Sequence, residues 1–265
     1  MKKIVCFLLA LVLAAGMTAC SNGTEPTEPS VPATAATEPT TAPTVAPTEA
    51  PTSAPKLLLE DLISESRTEH IDYTDDSGNP YKLDCAIPQI NLDSDAVKQL
   101  NEQITDLLTP YLDDAVKAQE TKTTCGLSNQ SYDAWLDDNG HVTLLLTIEG
   151  IWDNVSRYAY TVDTSTGSVL SRNGIAMLLK MRGSELTDAI RSSTEAYMAK
   201  QYAAIQENDP ELYDELLQQT LTDEILDTAQ CYIDADGNAQ VICRIASPAG
   251  AAYYVHTYPL VRESE

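Results

Sequence analysis

The spacing of apolar residues changes along this chain, and each spacing predicts a different kind of element. A short helix is predicted over residues 57–66. Apolar and polar residues then alternate on both sides of residues 75–80, where Asp, Ser, Gly, Asn and Pro are typical of a tight turn. The pattern predicts a β-hairpin. Pro88 cannot donate a hydrogen bond to a neighbouring strand, so the second strand should lie at a sheet edge or end near it.

The next segment has the periodicity of an amphipathic helix. Between residues 97 and 116, apolar side chains recur every three or four positions and form one stripe. Asp93 or Ser94 is the expected N-terminal cap, because either side chain can accept a hydrogen bond from a free backbone N–H. Pro110 lacks the N–H that would bond to Asp106, so a kink or break is expected there.

The second half of the chain returns to strands, then to helices, then to strands. Four strands should follow the first long helix, and residues 142–149 show the clearest alternation. The remaining predictions are strands at 158–162 and 169–170, helices over 173–219 with restarts at Gly183 and Pro210, a helical turn over 222–227, and strands at 231–234, 240–246 and 253–260. Tight turns join the strands, and the helices lie between two groups of them. The predicted fold is therefore α+β, with a mainly antiparallel β-sheet packed against several helices.

The first 19 residues have the layout of a lipoprotein signal peptide. Lys2 and Lys3 precede an apolar run, and small residues lead to Cys20. The apolar run is shorter than the roughly 20 residues that a membrane-spanning helix needs. Cleavage before Cys20 and acylation of its thiol would attach two or more lipid chains, which anchor a protein stably. We therefore expect a lipid-anchored protein on the extracytoplasmic face of the cell membrane. The alternative is a fully secreted protein, in which Cys20 would have no special role.

Residues 20–56 consist almost entirely of Thr, Pro, Ala and Glu. This composition lacks the apolar side chains that offset the entropy of folding, so a disordered linker is expected. Frequent proline favours the extended polyproline conformation, and the threonines are candidate O-glycosylation sites. The segment would act as a stalk for a single extracellular domain over residues 57–265.

The net charge of the chain limits which classes of molecule can bind to it. It has 40 acidic and 16 basic residues, for a net charge of −24. Such a surface repels nucleic acid and anionic lipid, and it attracts basic proteins or cations. Acidic surfaces also serve solubility alone. Nucleic acid is therefore excluded as a partner, whereas a basic protein or a cell-wall polymer remains a candidate.

The cysteines outside the N-terminal region are even in number and widely spaced: Cys85, Cys125, Cys231 and Cys243. No C-x₂-C pair occurs among them, so a zinc site is not expected. A hairpin register that sets Ile233 opposite Val241 also sets Cys231 opposite Cys243. These two cysteines are the candidate disulfide, with two buried thiols as the alternative.

Recognisable catalytic or cofactor motifs are lacking. The three histidines, His70, His141 and His256, do not have the spacing of metal ligands on one helix face. There is no nucleophile elbow, phosphate loop or dinucleotide fingerprint, and residues 234–238 match a hairpin turn better than a calcium loop. No enzyme activity, metal or cofactor is therefore predicted. The alternative is an envelope glycan or peptidoglycan hydrolase with an unrecognised pair of carboxylates.

Aromatic usage suggests a binding surface. The chain has 13 tyrosines and one phenylalanine. Tyrosine covers apolar area and keeps a hydrogen-bonding tip, which suits interfaces. The same residues could equally be ordinary strand residues. The candidate binding residues are Trp152, Arg157, Tyr158, Tyr253 and Tyr254.

Three segments taken in order resemble one known family. They are residues 86–104, residues 160–178, and residues 236–260 with their Asp-Gly turn and Ser-Pro-Ala-Gly stretch. Together they are similar to the extracellular domain of the lysozyme-sensing anti-sigma-V factor, which is also found beside a peptidoglycan deacetylase domain. The resemblance covers about residues 70–261 and implies a non-catalytic, envelope-facing binding domain. We expect its ligand to be a protein or an envelope polymer, with a lysozyme-like protein among the candidates. Residues 151–157 differ from the Gly-Gly-Ala-His-like stretch of that family, so lysozyme binding itself is not implied.

Overall fold

The computed structural model describes residues 57–151, 154–250 and 252–261, which belong to one compact unit. The signal peptide, Cys20 and the linker lie outside the described residues. The strands are β1 Ile63–Thr74, β2 Pro80–Ile90, β3 Leu127–Leu136, β4 His141–Gly150, β5 Val155–Asp163, β6 Ser168–Val169, β7 Gln230–Ile233, β8 Ala239–Ala246 and β9 Tyr253–Pro259. The helices are α1 Leu59–Leu62, α2 Asp95–Thr121, α3 Arg172–Leu178, α4 Gly183–Gln201, α5 Ala203–Asn208, α6 Pro210–Thr220 and α7 Asp223–Thr228.

The strands form three antiparallel sheets in chain order. Sheet 1 is the β1–β2 hairpin, sheet 2 has the order β3-β4-β5-β6, and sheet 3 has the order β7-β8-β9. Each neighbouring pair within a sheet is antiparallel. Several helices accompany these sheets, so the predicted α+β class is confirmed.

The predicted helical lead-in is wrong, and of the two alternatives expected at Pro110 the break does not occur. The helical lead-in is only four residues long, and Ile63 begins a strand because it pairs with Ile90 at the far end of β2. Helix α2 does not break at Pro110 but continues to Thr121. Its buried stripe continues past the proline through Leu112 to Ala118, so packing holds the second half of the helix in place.

Other boundaries follow the sequence signals closely. Ser94 caps α2, with its Oγ accepting a hydrogen bond from Val97 N at 3.1 Å. Asp209 caps α6 in the same way, and Pro210 occupies the first turn of that helix. The predicted helical stretch over 173–219 divides into α3, α4, α5 and α6, because capping residues and short connections interrupt it.

The interior has two hydrophobic clusters. The first lies between α2 and sheets 1 and 2, with Ile71, Ile104 and Leu144 fully buried. The second lies between sheet 3 and helices α3, α4, α6 and α7, with Ile190 and Val241 fully buried. Burial of such side chains stabilises the fold by about 1.5–3 kcal/mol each.

Side-chain amides satisfy the backbone groups that point outward from several strands. Unpaired backbone groups at a strand edge are costly when water is excluded, so each needs a partner. The four cases are Gln119 Oε1 with Asp72 N at 2.7 Å, Gln130 Oε1 with Ala86 N at 2.8 Å, Gln230 Oε1 with Ala159 N at 2.8 Å, and Asn101, which bonds both Ile90 N and Ile90 O at 3.0 Å. Gln130 and Gln230 thereby join neighbouring sheets.

The predicted register of the β7–β8 hairpin is wrong by two residues. Ile233 pairs with Ala239, which places Cys231 opposite Val241 instead of Cys243. The turn is tighter than expected because Asp234 Oδ1 accepts hydrogen bonds from the backbone of Asp236 and Asn238. A shift of two residues keeps every side chain on its predicted face, so the apolar match survives.

The candidate disulfide between Cys231 and Cys243 was predicted from that register. Cys243 lies directly opposite His256 on β9, and it is diagonal to Cys231. Cys243 is a buried thiol in the structure. Burial raises the pKa of the Cys243 thiol, which reduces its reactivity.

Candidate functional site

A groove of about 320 Å³ lies between β5 and sheet 3, and we call it the arginine groove. Its volume lies at the lower end of the range typical of small-ligand sites, about 300–1,000 Å³. The lining side chains that matter below are Arg157, Tyr158, Gln230 and Arg244, and Ile242 and Val255 add apolar surface. No carboxylate belongs to this lining within the described residues.

The groove exists because β5 has an open edge. β6 pairs with β5 only at Val162 and Asp163, so no described strand forms a hydrogen-bonded ladder with the earlier part of β5 on that side. Gln230 bonds the N–H of Ala159 there. Residues two apart on a strand direct their backbone groups the same way, so the N–H and C=O of Arg157 also point toward the groove.

Two guanidinium groups meet at this groove without an acidic partner. Arg157 Nη1 lies 3.5 Å from Thr257 Oγ1, at the limit of hydrogen bonding. The Arg244 guanidinium carbon lies 6.0 Å from the centre of the Tyr253 ring, where a weak cation–π attraction operates. Within the described part of the chain, neither arginine forms an ion pair.

Elsewhere in the domain, three arginines are paired with carboxylates. Arg67 contacts Glu69 and Asp113, and Arg182 contacts Glu185. Arg191 lies 3.5 Å from Asp223. Arg172 has no ion pair among the described residues either, but its guanidinium group donates to Thr187 and to three backbone carbonyls. Arg157 and Arg244 differ from the other described arginines because they have neither a carboxylate nor a backbone carbonyl as a hydrogen-bond partner.

A neighbouring histidine, His256, lies close enough to Arg157 for its pKa to respond to the positive charge. His256 Nδ1 lies 2.9 Å from the Tyr197 hydroxyl. Burial lowers the pKa of His256, and the charge of Arg157 lowers it further. The histidine is therefore neutral at pH 7, and it reports on the electrostatics of the groove.

The structure brings some of the predicted binding residues together and separates others. Arg157 and Tyr158 both line the groove. Tyr253 is 41% exposed and lies beside Arg244, next to the groove. Tyr254 lies opposite Ile245, a core residue, so it faces the helices on the other side of sheet 3. Trp152 lies outside the described residues.

Sequence reasoning missed Arg244 and Gln230. Arg244 is the single charged residue within the apolar strand 241–246, and it is exposed while its neighbours are buried. This break in the apolar pattern could have identified Arg244 as a candidate site residue from the sequence alone. Gln230 had no such signal, because its role depends on contact with a strand distant in sequence.

A second groove, of about 490 Å³, lies between the β1–β2 hairpin and β3, and we call it the acidic groove. It bears on the hydrolase alternative because Glu65, Glu69 and Asp84 line it. Each carboxylate already has a partner: Glu65 accepts from the Tyr132 hydroxyl at 2.8 Å, Glu69 pairs with Arg67 at 2.8 Å, and Asp84 lies 2.5 Å from His70 Nδ1. Each of the three carboxylates that line the acidic groove therefore has a hydrogen-bonding or charged partner.

Another carboxylate–histidine pair is too enclosed for a substrate. His141 Nδ1 lies 2.9 Å from Asp137 Oδ2. The cavity beside it has a volume of about 10 Å³ and is also lined by Thr143 and Thr161. A space of that size holds about one water molecule. The pair therefore shapes the β3–β4 turn, where Asp137 also accepts from the backbone of His141 and Asn139.

The described residues also lack a metal site and a membrane-spanning helix. Within them, no three His, Cys, Asp or Glu side chains are close enough to hold a metal ion. None of their helices has the length and apolar character needed to cross a membrane.

Comparison with known proteins adds no relative. No protein-family model matches the chain, and no curated protein matches it.

Proposed function

We propose that this chain is a non-catalytic binding protein of the cell envelope, held at the membrane by acylated Cys20, and that its arginine groove binds an anionic group of an envelope polymer. The observation that carries the proposal is the meeting of Arg157 and Arg244 in one groove without a carboxylate partner among the described residues. Arg157 is half-buried and Arg244 is exposed. Guanidinium groups without a carboxylate partner favour an anionic ligand, which they bind through two parallel hydrogen bonds.

The charge of the rest of the protein limits which polymer fits. A net charge of −24 repels a densely charged polyanion such as nucleic acid. A polymer with isolated anionic groups can place one group in the groove without bringing further charge near the acidic surface. Cell-wall peptidoglycan, whose peptide carboxylates are spaced apart, has this character.

Co-sedimentation with purified cell-wall sacculi tests the proposal. The mature wild-type protein should sediment with them, and an Arg157→Gln/Arg244→Gln double variant should remain in solution. A Lys98→Gln/Arg182→Gln double variant is the matched control, because it removes the same charge from exposed sites away from the groove. Equal sedimentation of all three proteins would contradict the proposal.

A basic protein is a second candidate partner, favoured by the acidic groove. Glu65, Glu69 and Asp84 present negative charge there. Calorimetry with lysozyme at low and high salt separates the alternatives. Tight binding that persists at high salt would support a specific lysozyme-binding domain, whereas binding that disappears with salt would reflect charge alone.

A hydrolase function is the remaining alternative. It predicts turnover of peptidoglycan or glycan fragments by the purified protein. The partners already bound to the carboxylates of the acidic groove argue against it. Release of soluble fragments by the wild-type protein, lost on Glu65→Gln substitution, would overturn the non-catalytic proposal.

A further inference from the structure

The arginine groove has features that distinguish between kinds of anionic ligand. Its polar lining is rich in donors. Arg157 and Arg244 supply guanidinium N–H groups, and Gln230 adds an amide. The Gln230 side chain is fixed, because its Oε1 is bonded to Ala159 N, and no described acceptor contacts its Nε2. A ligand with several acceptor oxygens matches this lining.

The backbone of β5 adds a second requirement. The N–H and C=O of Arg157 point toward the groove and pair with no described backbone group there. One is a donor and the other an acceptor, and their spacing is that of a strand edge. A peptide in an extended conformation offers the complementary pair, as in recognition by strand addition. Phosphate offers mainly acceptors, and a simple sugar has donor and acceptor hydroxyls but not at the spacing of a peptide's backbone N–H and C=O.

The surroundings also favour a ligand with one charge at this site. Arg157 and Arg244 are the two cationic residues of the lining, and the protein around them is strongly acidic. A single carboxylate at the end of a peptide can be shared between the two guanidinium groups. Further negative charges on the ligand would meet repulsion.

We propose that the arginine groove binds the carboxylate-bearing end of a short extended peptide, with the peptide backbone pairing to the open edge of β5 at Arg157 and the carboxylate accepting hydrogen bonds from Arg157 and Arg244. This inference rests on the proposed function of the same groove and specifies its ligand class. Val255 and Ile242 provide an apolar surface for small side chains of the peptide.

The test uses the mature protein in detergent, titrated by calorimetry with acetyl-trialanine that has a free carboxylate. The same peptide with a C-terminal amide should bind at least tenfold more weakly, because it lacks the charged acceptor. Versions that are N-methylated at one peptide bond at a time should include one that loses binding, since methylation removes a strand-type donor. Acetate and inorganic phosphate should bind more weakly than the peptide acid.

Protein variants locate the site. Arg157→Gln and Arg244→Gln should each weaken binding of the peptide acid about tenfold or more, whereas Lys98→Gln should leave it unchanged. Arg157→Lys keeps the charge and loses the planar fork, so it should fall between wild type and Arg157→Gln. Thermal unfolding of each variant checks that the fold is intact.

Several results would overturn the inference. They are equal binding of acid and amide, phosphate binding as tightly as the peptide acid, no effect of any N-methyl group, or no peptide binding at all. If peptides fail but the double arginine variant still loses its sedimentation with sacculi, the groove binds a different anionic group and the proposed function stands. If both fail, the groove is not a binding site.

Discussion

Gln230 Oε1 accepts a hydrogen bond of 2.8 Å from the backbone N–H of Ala159, and this contact holds the start of β7 against the open edge of β5. The two residues belong to different sheets and are 71 positions apart. The contact satisfies one outward N–H of β5 and leaves the neighbouring groups of Arg157 open toward the groove. Gln230 therefore occupies one part of the β5 edge and lines the candidate site beside it.

Gln230→Met should lower the free energy of unfolding by about 1–3 kcal/mol, because it leaves the Ala159 N–H without its partner. Urea denaturation measures this effect. Gln219→Met is the matched control, since Gln219 bonds only the exposed Glu215 side chain, and it should change stability by less than about 0.5 kcal/mol. Equal effects of both variants would show that the Gln230 bond contributes no specific stability.

Gly167→Ala should be strongly destabilising, because two separate effects add. Gly167 has φ +66°, and a Cβ there would lie 2.5 Å from the Cβ of Ser94, the residue that caps α2. Ser94 Oγ also donates to Gly167 O at 2.7 Å. Gly237→Ala is the control, since Gly237 has φ +82° and open space around it. The control isolates the backbone effect of about 1 kcal/mol.

We expect the loss at Gly167 to exceed that at Gly237 by about 1–3 kcal/mol, the usual penalty for overpacking. Chemical denaturation of both variants gives the difference. Similar losses would mean that the β5–β6 turn moves away from α2 without cost.

His256 should titrate below its usual range, and Arg157 should be part of the cause. Burial is the larger contribution to the lowered pKa of His256 and remains in any Arg157 variant. Arg157→Gln removes a nearby positive charge, so the pKa of His256 should rise toward 6.5 without reaching it. NMR titration of the imidazole protons measures the shift, and a His256→Gln variant assigns the signal among three histidines.

The lowered pKa also has a consequence for stability. The unfolded chain binds a proton at His256 more readily than the folded protein, so stability is at its full value above about pH 6.5 and falls as pH decreases through the folded pKa. His256→Gln should reduce the fall between pH 7 and pH 5, if the variant folds. An unchanged pH dependence would show that other groups account for it.

Cys20→Ala should release the protein from the membrane. Without the thiol there is no site for acylation, and the anchoring energy of about 0.8 kcal/mol per buried methylene is lost. Fractionation of cells, followed by detection of the protein in the membrane and soluble fractions, tests this expectation. Cys243→Ala is the control, since Cys243 lies in the folded core and should stay with the membrane fraction.

Local sequence signals were sufficient for most elements of the fold. Asp and Gly at residues 234–237, Ser94 before an apolar stripe, and Asp209 before Pro210 each act within a few residues of themselves. Their effects do not depend on distant contacts. Packing decided between a kink and a break at Pro110: α2 continues through the proline because its buried stripe is held on both sides.

The candidate binding site likewise combines residues with a local sequence signal and residues without one. The sequence singled out Arg157, Tyr158 and Tyr253, and these lie in or beside one groove. It could not separate Tyr253 from Tyr254, although the alternation of a strand puts them on opposite faces, because it did not show which face meets the helices. Arg244 and Gln230 join the site only through contacts between sheets 2 and 3.

By itself, the sequence determined the α+β class, the order of the elements and most of their limits, because turns, caps and apolar periodicity are local properties of the chain. The register of the β7–β8 hairpin, the continuity of α2 and the position of the groove were decided only in the tertiary structure. Each depends on which distant groups pair or exclude one another, and a contact such as that between Gln230 and Ala159 has no local signal in either strand.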